Sequence, residues 1–78
     1  MTLAERVETD PAVMLGKPVI RGTRIPAELI LRKLSEGATE AELLDGYPRL
    51  APEDIRAALA FAADTVACEE TVAVGGPA

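Results

Sequence analysis

Arginine side chains offer the clearest chemistry in this sequence. Arg21 and Arg24 flank Gly22, and Arg49 and Arg56 stand within and after a Tyr47-Pro48 connector. Guanidinium groups can neutralise DNA phosphates, so these four arginines are the predicted DNA-contacting residues. Two other roles remain open for Arg21 and Arg24, because charges on an exposed hairpin also block unwanted strand pairing or shape a dimer.

Residues suited to catalysis or to metal binding are scarce. The chain has no histidine and a single cysteine, Cys68, so the commonest general base and a multi-thiol zinc site are both missing. We expect Cys68 to pack as a small apolar side chain. Glu53 and Asp54 follow Pro52 at a helix start that favours acids, where they would repel phosphates. The sequence therefore predicts no catalytic residue, no metal and no cofactor, with an enzyme as the disfavoured alternative.

Charge and composition point to a partner protein. Thirteen acidic residues against eight basic ones give a net charge of −5, which disfavours nonspecific nucleic-acid binding unless the cations share one face. An acidic surface suits a basic protein partner. Large apolar side chains are few, with one Phe, one Tyr and no Trp, so we expect part of the core to come from another subunit.

The expected location is the cytoplasm. The first residues contain no apolar run of the signal-peptide type, and no stretch approaches the roughly 20 apolar residues that span a bilayer. A lone cysteine also fits a reducing compartment. We therefore expect a cytoplasmic protein that does not cross a membrane.

The elements that must position the arginines follow from turn residues and apolar spacing. Short strands are expected within residues 3–25, with β-branched patches on both sides of a turn at Gly22. Helices are predicted over 26–36, 39–45 and 52–67, with Pro26 at the first helical position and Gly37 as a stop. Thr39 and Glu42 form a capping box. In the third helix the apolar residues that repeat at helical intervals are Ile55, Ala58, Leu59, Ala62 and Val66.

The predicted fold is mainly α with a small β-hairpin. It has a three-helix, homeodomain-like core of the helix-turn-helix type, preceded by short N-terminal strands. Residues 1–68 form one domain, and residues 69–78 are expected to be a disordered tail. In a helix-turn-helix the longer helix enters the major groove, which would place Arg49 and Arg56 near DNA.

Apolar residues of the hairpin and first helix are the predicted dimer or partner interface. The first helix is apolar over more of its circumference than a single core requires, although complete burial within the chain would also explain this pattern. The residues assigned to the interface are Val19, Ile20, Ile25, Leu29, Ile30 and Leu31.

The segment from Gly16 to Pro26, GKPVIRGTRIP, resembles the bacterial and archaeal family named domain of unknown function 433. The similarity continues through the Tyr47-Pro48 connector and residues 52–59, and covers about residues 6–65. Two positions depart from the family pattern. Leu15 replaces a common glycine, and Ala51 replaces a helix-capping Ser or Thr, a loss worth about 1 kcal/mol.

The resemblance implies a function as well as a fold. Members of this family are often described as antitoxins of type II toxin–antitoxin pairs, are usually homodimers, and are commonly encoded beside a nuclease-like toxin of the PIN-domain type. The first hypothesis is accordingly an antitoxin-like module that neutralises a toxin and also binds operator DNA. The alternative is a stand-alone helix-turn-helix transcription regulator.

Overall fold

The computed structural model describes residues 2–12 and 16–73, with side chains described as far as residue 68. A 3-10 helix, Leu3–Arg6, leads into strand β1, Val7–Glu8, and strand β2 is Val19–Ile20. Three helices follow, α1 over Ala27–Ser35, α2 over Glu40–Gly46 and α3 over Pro52–Ala73. The predicted mainly helical fold with three helices and two antiparallel strands near the N-terminus is confirmed.

The first residues form a helical turn where the sequence predicted a strand from residue 3. Thr2 caps this turn, since its Oγ1 accepts a hydrogen bond from the Glu5 backbone N–H at 3.3 Å. The Glu5 carboxylate in turn accepts from the Thr2 N–H at 3.3 Å. This reciprocal pair satisfies two otherwise free backbone donors, which favours a helical turn over an extended chain.

The pairing partner of β2 also differs from the prediction. β2 pairs antiparallel with β1, with Val7 opposite Ile20 and Glu8 opposite Val19. The segment after Gly22 adds only an isolated bridge between Val19 and Pro26. Residues 13–15, which the sequence placed in the strand region, lie outside the described residues.

The turn at Gly22 connects β2 to the approach to α1. The Thr23 backbone N–H donates to the Ile20 carbonyl at 3.0 Å, and Gly22 has a φ of +82°. A type II turn needs positive φ at its third residue, which is the position of Gly22. The tight turn sends the chain back so that the Ile20 N–H donates to the Ile25 carbonyl at 2.9 Å.

Helix α1 begins one residue later than predicted. Pro26 keeps an extended conformation, with ψ of 146°, and is the N-cap instead of the first helical residue. At the other end Gly37 has a φ of +99°. Its N–H donates to the Leu34 carbonyl, and the Ala38 N–H donates to the Lys33 carbonyl, each at 3.0 Å. This is a Schellman motif, which ends the helix and satisfies its last carbonyls.

Helix α2 starts at the predicted capping box, which is confirmed. The Thr39 Oγ1 accepts from the Glu42 N–H at 3.1 Å, and the Glu42 carboxylate accepts from the Thr39 N–H at 2.8 Å. Helix α3 extends to Ala73, six residues beyond its predicted end at residue 67 and into the predicted tail of residues 69–78. Residues 74–78 of that predicted tail lie outside the described part of the chain.

The core is formed by one face of each helix and by β2. The fully buried large side chains are Val19, Ile20, Ile30 and Ile55. The interface assignment is therefore wrong for Val19, Ile20 and Ile30, because their surface is already covered by this chain. Ile25 and Leu31 are half-buried and pack against the core, and Leu29 is half-buried.

Candidate functional site

The two arginines of the Gly22 turn make different contacts. The Arg21 Nε donates to the Glu5 carbonyl at 2.7 Å, and its Nη1 lies 3.8 Å from a Glu8 carboxylate oxygen. These contacts hold the turn against the N-terminal segment, so part of the charge of Arg21 is engaged within the protein. Arg24 is exposed and makes no such ion pair within residues 2–12 and 16–73.

Arg49 joins the α2–α3 connector to the same turn. The connector is itself a turn, because the Leu50 N–H donates to the Tyr47 carbonyl at 2.9 Å. From this turn the Arg49 Nη1 donates to the Gly22 carbonyl at 3.2 Å. One of several guanidinium donors is used in this way, and the side chain as a whole stays exposed.

Arg24 and Arg49 line one open cleft of about 560 Å³, together with Glu8, Gly22 and Thr23. We call this feature the arginine cleft. Of the four arginines predicted to contact DNA, the structure therefore brings two together at the cleft. Arg21 is turned toward the N-terminal segment, and Arg56 is exposed on α3 without lining the cleft.

Nothing in the sequence indicated the partly buried ion pair between Arg6 and Asp54. The Arg6 Nη1 donates to Asp54 Oδ1 at 3.0 Å, and the Asp54 side chain is only 9% exposed. The second carboxylate oxygen of Asp54 accepts the Ala51 N–H at 2.9 Å. The expectation that Asp54 would repel phosphates is corrected, because its charge is neutralised and covered.

Asp54 supplies one half of a capping box, because its carboxylate accepts the Ala51 N–H, while the side-chain acceptor that a Ser or Thr would provide at position 51 is missing. Asp54 occupies the third position of α3, where an acidic side chain can satisfy a free N–H at the helix start. The position of Asp54, three residues after Ala51, could have been used to predict its hydrogen bond to the Ala51 N–H. Arg6, 48 residues away, gave no local signal for its partner.

Two of the large apolar residues that repeat at helical intervals along α3 are exposed. Leu59 is 46% exposed and Val66 is 59% exposed. Seven residues separate them, so they fall on the same side of the helix. On the opposite side of α3, a groove of about 290 Å³ between this helix and the N-terminal segment is lined mainly by apolar atoms of Leu3, Ala4, Val7, Ala57, Ala60 and Phe61, with Asp64.

Reactive side chains are not clustered in the part of the chain that the structure describes. In that part, no group of three or more Cys, Asp or Glu side chains could hold a metal ion. Cys68 is exposed at its position on α3, whereas the sequence analysis expected it to be packed. A search of the same residues found no helix long and apolar enough to cross a membrane.

The fold and the cleft define a small, mainly helical protein with a surface suited to binding. It belongs to the family described as Protein of unknown function (DUF433), whose pattern matches residues 7–62. The family named from the GKPVIRGTRIP segment is therefore confirmed.

Relatives include both sequences and a solved structure. An uncharacterized protein, y4eO, of Sinorhizobium fredii is 34% identical over 58 residues, which are 74% of this chain and 26% of that protein. An uncharacterized protein of Archaeoglobus fulgidus is 57% identical over 28 residues, covering 36% of this chain and 78% of that one. The crystal structure of a DUF433 member from Anabaena variabilis superposes with a TM-score of 0.70 at 37% identity.

The match to the solved structure covers 76% of this chain and 58% of the Anabaena protein. The chain therefore spans about a quarter of the length of y4eO and somewhat over half of the Anabaena protein.

Proposed function

We propose that this protein is a non-enzymatic, antitoxin-like module that binds and neutralises a toxin of the PIN-type nuclease class. The proposal places it in the cytoplasm as a homodimer. Val19, Ile20 and Ile30 are buried within the chain. The dimer contacts that remain from the sequence prediction are therefore the half-buried residues Ile25, Leu29 and Leu31.

The exposed apolar face of α3 is the observation that carries this proposal. Large apolar residues such as Leu59 and Val66 are exposed here. A partner that covered them would gain binding free energy of about 25 cal/mol per Å² of buried apolar surface. An amphipathic helix that lies in a groove of its partner is a common mode of protein recognition. The net charge of −5 supports a partner with a basic surface, and complementary charge would speed association.

Binding to the product of the adjacent open reading frame tests the proposal. We expect the two proteins to copurify after coexpression and Val66→Glu to weaken the complex at least about tenfold, because the carboxylate would be buried without a partner. Isothermal titration calorimetry measures the affinity.

Thr65→Glu is the matched control, since it adds the same charge at an exposed position about 100° around the helix. Circular dichroism checks that both variants are folded. If the adjacent product does not bind, or if both variants bind as tightly as the unmodified protein, the toxin-binding proposal is wrong.

Binding of operator DNA is the second candidate function, either beside toxin binding or as that of a stand-alone regulator. It is favoured by the order α2, tight connector, α3, in which α3 would be the recognition helix of a homeodomain-like helix-turn-helix. Arg56 is exposed near the start of α3, and the described residues provide it with no carboxylate partner within 4.0 Å.

A mobility-shift titration with duplex DNA from the protein's own promoter tests this second candidate. Arg56→Gln is expected to weaken binding about tenfold, since one charge-assisted contact is lost. Arg32→Gln is the control, because Arg32 is exposed on α1 and already paired with Glu28 at 3.2 Å. Absence of a shift at low salt, or equal effects of the two substitutions, would contradict an operator-reading α3.

A further inference from the structure

The basic side chains differ in how far this protein neutralises them. Arg6, Lys17, Arg21 and Arg32 each have a carboxylate oxygen within 4.0 Å. Across the described ranges 2–12 and 16–73, Arg24 and Arg49 have none. These two guanidinium groups line the same cleft, although the protein as a whole is acidic.

The cleft positions one arginine and leaves the other adjustable. The 3.2 Å hydrogen bond to the Gly22 carbonyl uses one N–H of Arg49, and the exposed guanidinium has further donors for a ligand. Arg24 is exposed in the same cleft lining, and its guanidinium makes no hydrogen bond within the described part of the chain. A ligand held by both would connect the strand region to the α2–α3 connector.

The lining of the cleft leaves open space at Gly22. Gly22 carries no side chain, and a Cβ built there would meet no atom within 4 Å. The acidic residue that lines the cleft, Glu8, lies 3.8 Å from Arg21, so its charge is partly balanced by a cation that is not itself a lining residue. Two guanidinium groups against one partly balanced carboxylate favour an anion as the ligand.

We propose that the arginine cleft binds a phosphoryl group, supplied either by the backbone of a nucleic acid or by a free nucleotide. A tetrahedral phosphate has oxygens that can accept from two separate guanidinium groups, whereas one guanidinium fork already satisfies a planar carboxylate. The volume of about 560 Å³ lies within the range of pockets that hold ligands of nucleotide size. If the phosphate belongs to DNA, the inference rests on the second candidate function given above.

Nuclear magnetic resonance titrations of the full chain in a phosphate-free, low-salt buffer test the proposal. The probes are adenosine monophosphate and a 12-base-pair duplex of the promoter sequence. We expect the amide signals of Gly22 and Thr23 to shift with at least one probe. Arg24→Gln should weaken that binding about tenfold, because one charge-assisted contact is lost.

Variants separate a phosphate site from a structural effect. Among residues 2–12 and 16–73, the Arg24 side chain has no hydrogen bond or ion pair that its replacement would break, so Arg24→Gln should unfold at the same temperature as the unmodified protein. Arg24→Lys keeps the charge without the fork and should restore part of the affinity. Arg32→Gln, which removes a paired cation elsewhere, should bind as the unmodified protein does.

The two probes also identify the source of the phosphate. A nucleic-acid backbone is supported if the duplex binds more tightly than the mononucleotide. In that case the slope of log K against log salt concentration should decrease in magnitude by about one unit in Arg24→Gln. Tighter binding of the mononucleotide supports a nucleotide. If neither probe shifts Gly22 and Thr23, the cleft proposal is overturned. Duplex binding that depends on Arg56 but not on Arg24 or Arg49 overturns it while leaving the operator-binding candidate intact.

Discussion

Asp54→Ala is expected to lower the free energy of unfolding by about 3 kcal/mol, because it removes the buried member of a partly buried ion pair together with its hydrogen bond at the start of α3. Arg6 would keep its charge against the covered start of α3 with no carboxylate nearby, and the Ala51 N–H would lose its acceptor. Domains of this size are often stable by only about 3–5 kcal/mol, so the variant should be close to unfolded at room temperature. Urea denaturation followed by circular dichroism measures the change.

Two further substitutions separate charge from capping. Asp54→Asn should lose less stability than Asp54→Ala, because the amide oxygen can still accept from the Ala51 N–H. Asp64→Ala is the surface control, since Asp64 is exposed on the same helix, and should change stability by less than about 0.5 kcal/mol. Equal stability of Asp54→Ala and Asp64→Ala would show that the Arg6–Asp54 contact does not hold the N-terminal segment to α3.

Ile30→Ala is the second substitution with a large expected effect, a loss of about 3 kcal/mol in the free energy of unfolding. The Ile30 side chain is fully buried among core residues contributed by β2, α2 and α3. Truncation removes apolar contacts and leaves a cavity that the surrounding helices can fill only in part. Thermal and urea denaturation at several protein concentrations measure the loss.

The controls for Ile30→Ala distinguish a core residue from an interface residue. Ile30→Val, which removes a single methyl group, should cost about 1 kcal/mol. Leu59→Ala, at an exposed position, should cost clearly less than Ile30→Ala. A core role predicts a loss of stability that does not depend on protein concentration. If Ile30→Ala instead dissociated an oligomer and left the subunit equally stable, the original interface assignment would be correct after all.

Sequence reasoning succeeded where the decisive contacts join neighbouring residues. The capping box of Thr39 and Glu42 spans four residues, and the stop at Gly37 depends on that residue's own backbone freedom. Both signals are complete within one turn of helix, so no tertiary contact is needed to interpret them. The same logic would have identified the Thr2–Glu5 pair, whose spacing is identical.

Contacts between distant parts of the chain could not be predicted in the same way. The preference of β2 for β1 over the nearer residues 23–25, and the pairing of Arg6 with Asp54, depend on how the folded elements meet. Periodicity marked Leu59 and Val66 as apolar, but it does not say which apolar positions a neighbouring element covers. Val19, Ile20 and Ile30 were misassigned for the same reason.

At the candidate site, the sequence predicted the residue types but not their arrangement in space. The sequence identified Arg21, Arg24, Arg49 and Arg56 as the cations of interest. It could not show that Arg49 reaches back 27 residues to the Gly22 carbonyl while Arg21 turns toward Glu5 and Glu8. Which arginines pair with carboxylates and which do not becomes visible only in the folded structure, where the connector lies beside the Gly22 turn.

The contact between Arg6 and Asp54 has a consequence for the order of events during synthesis. Residues 2–8 leave the ribosome early, yet the surface they pack against belongs to α3 and is made 48 residues later. At about 5–20 residues per second, the N-terminal segment waits several seconds with Val7 uncovered. The fold can therefore close only after α3 has been made, and a pause of the ribosome before Asp54 is added would prolong the period in which the nascent chain is open to chaperones and proteases.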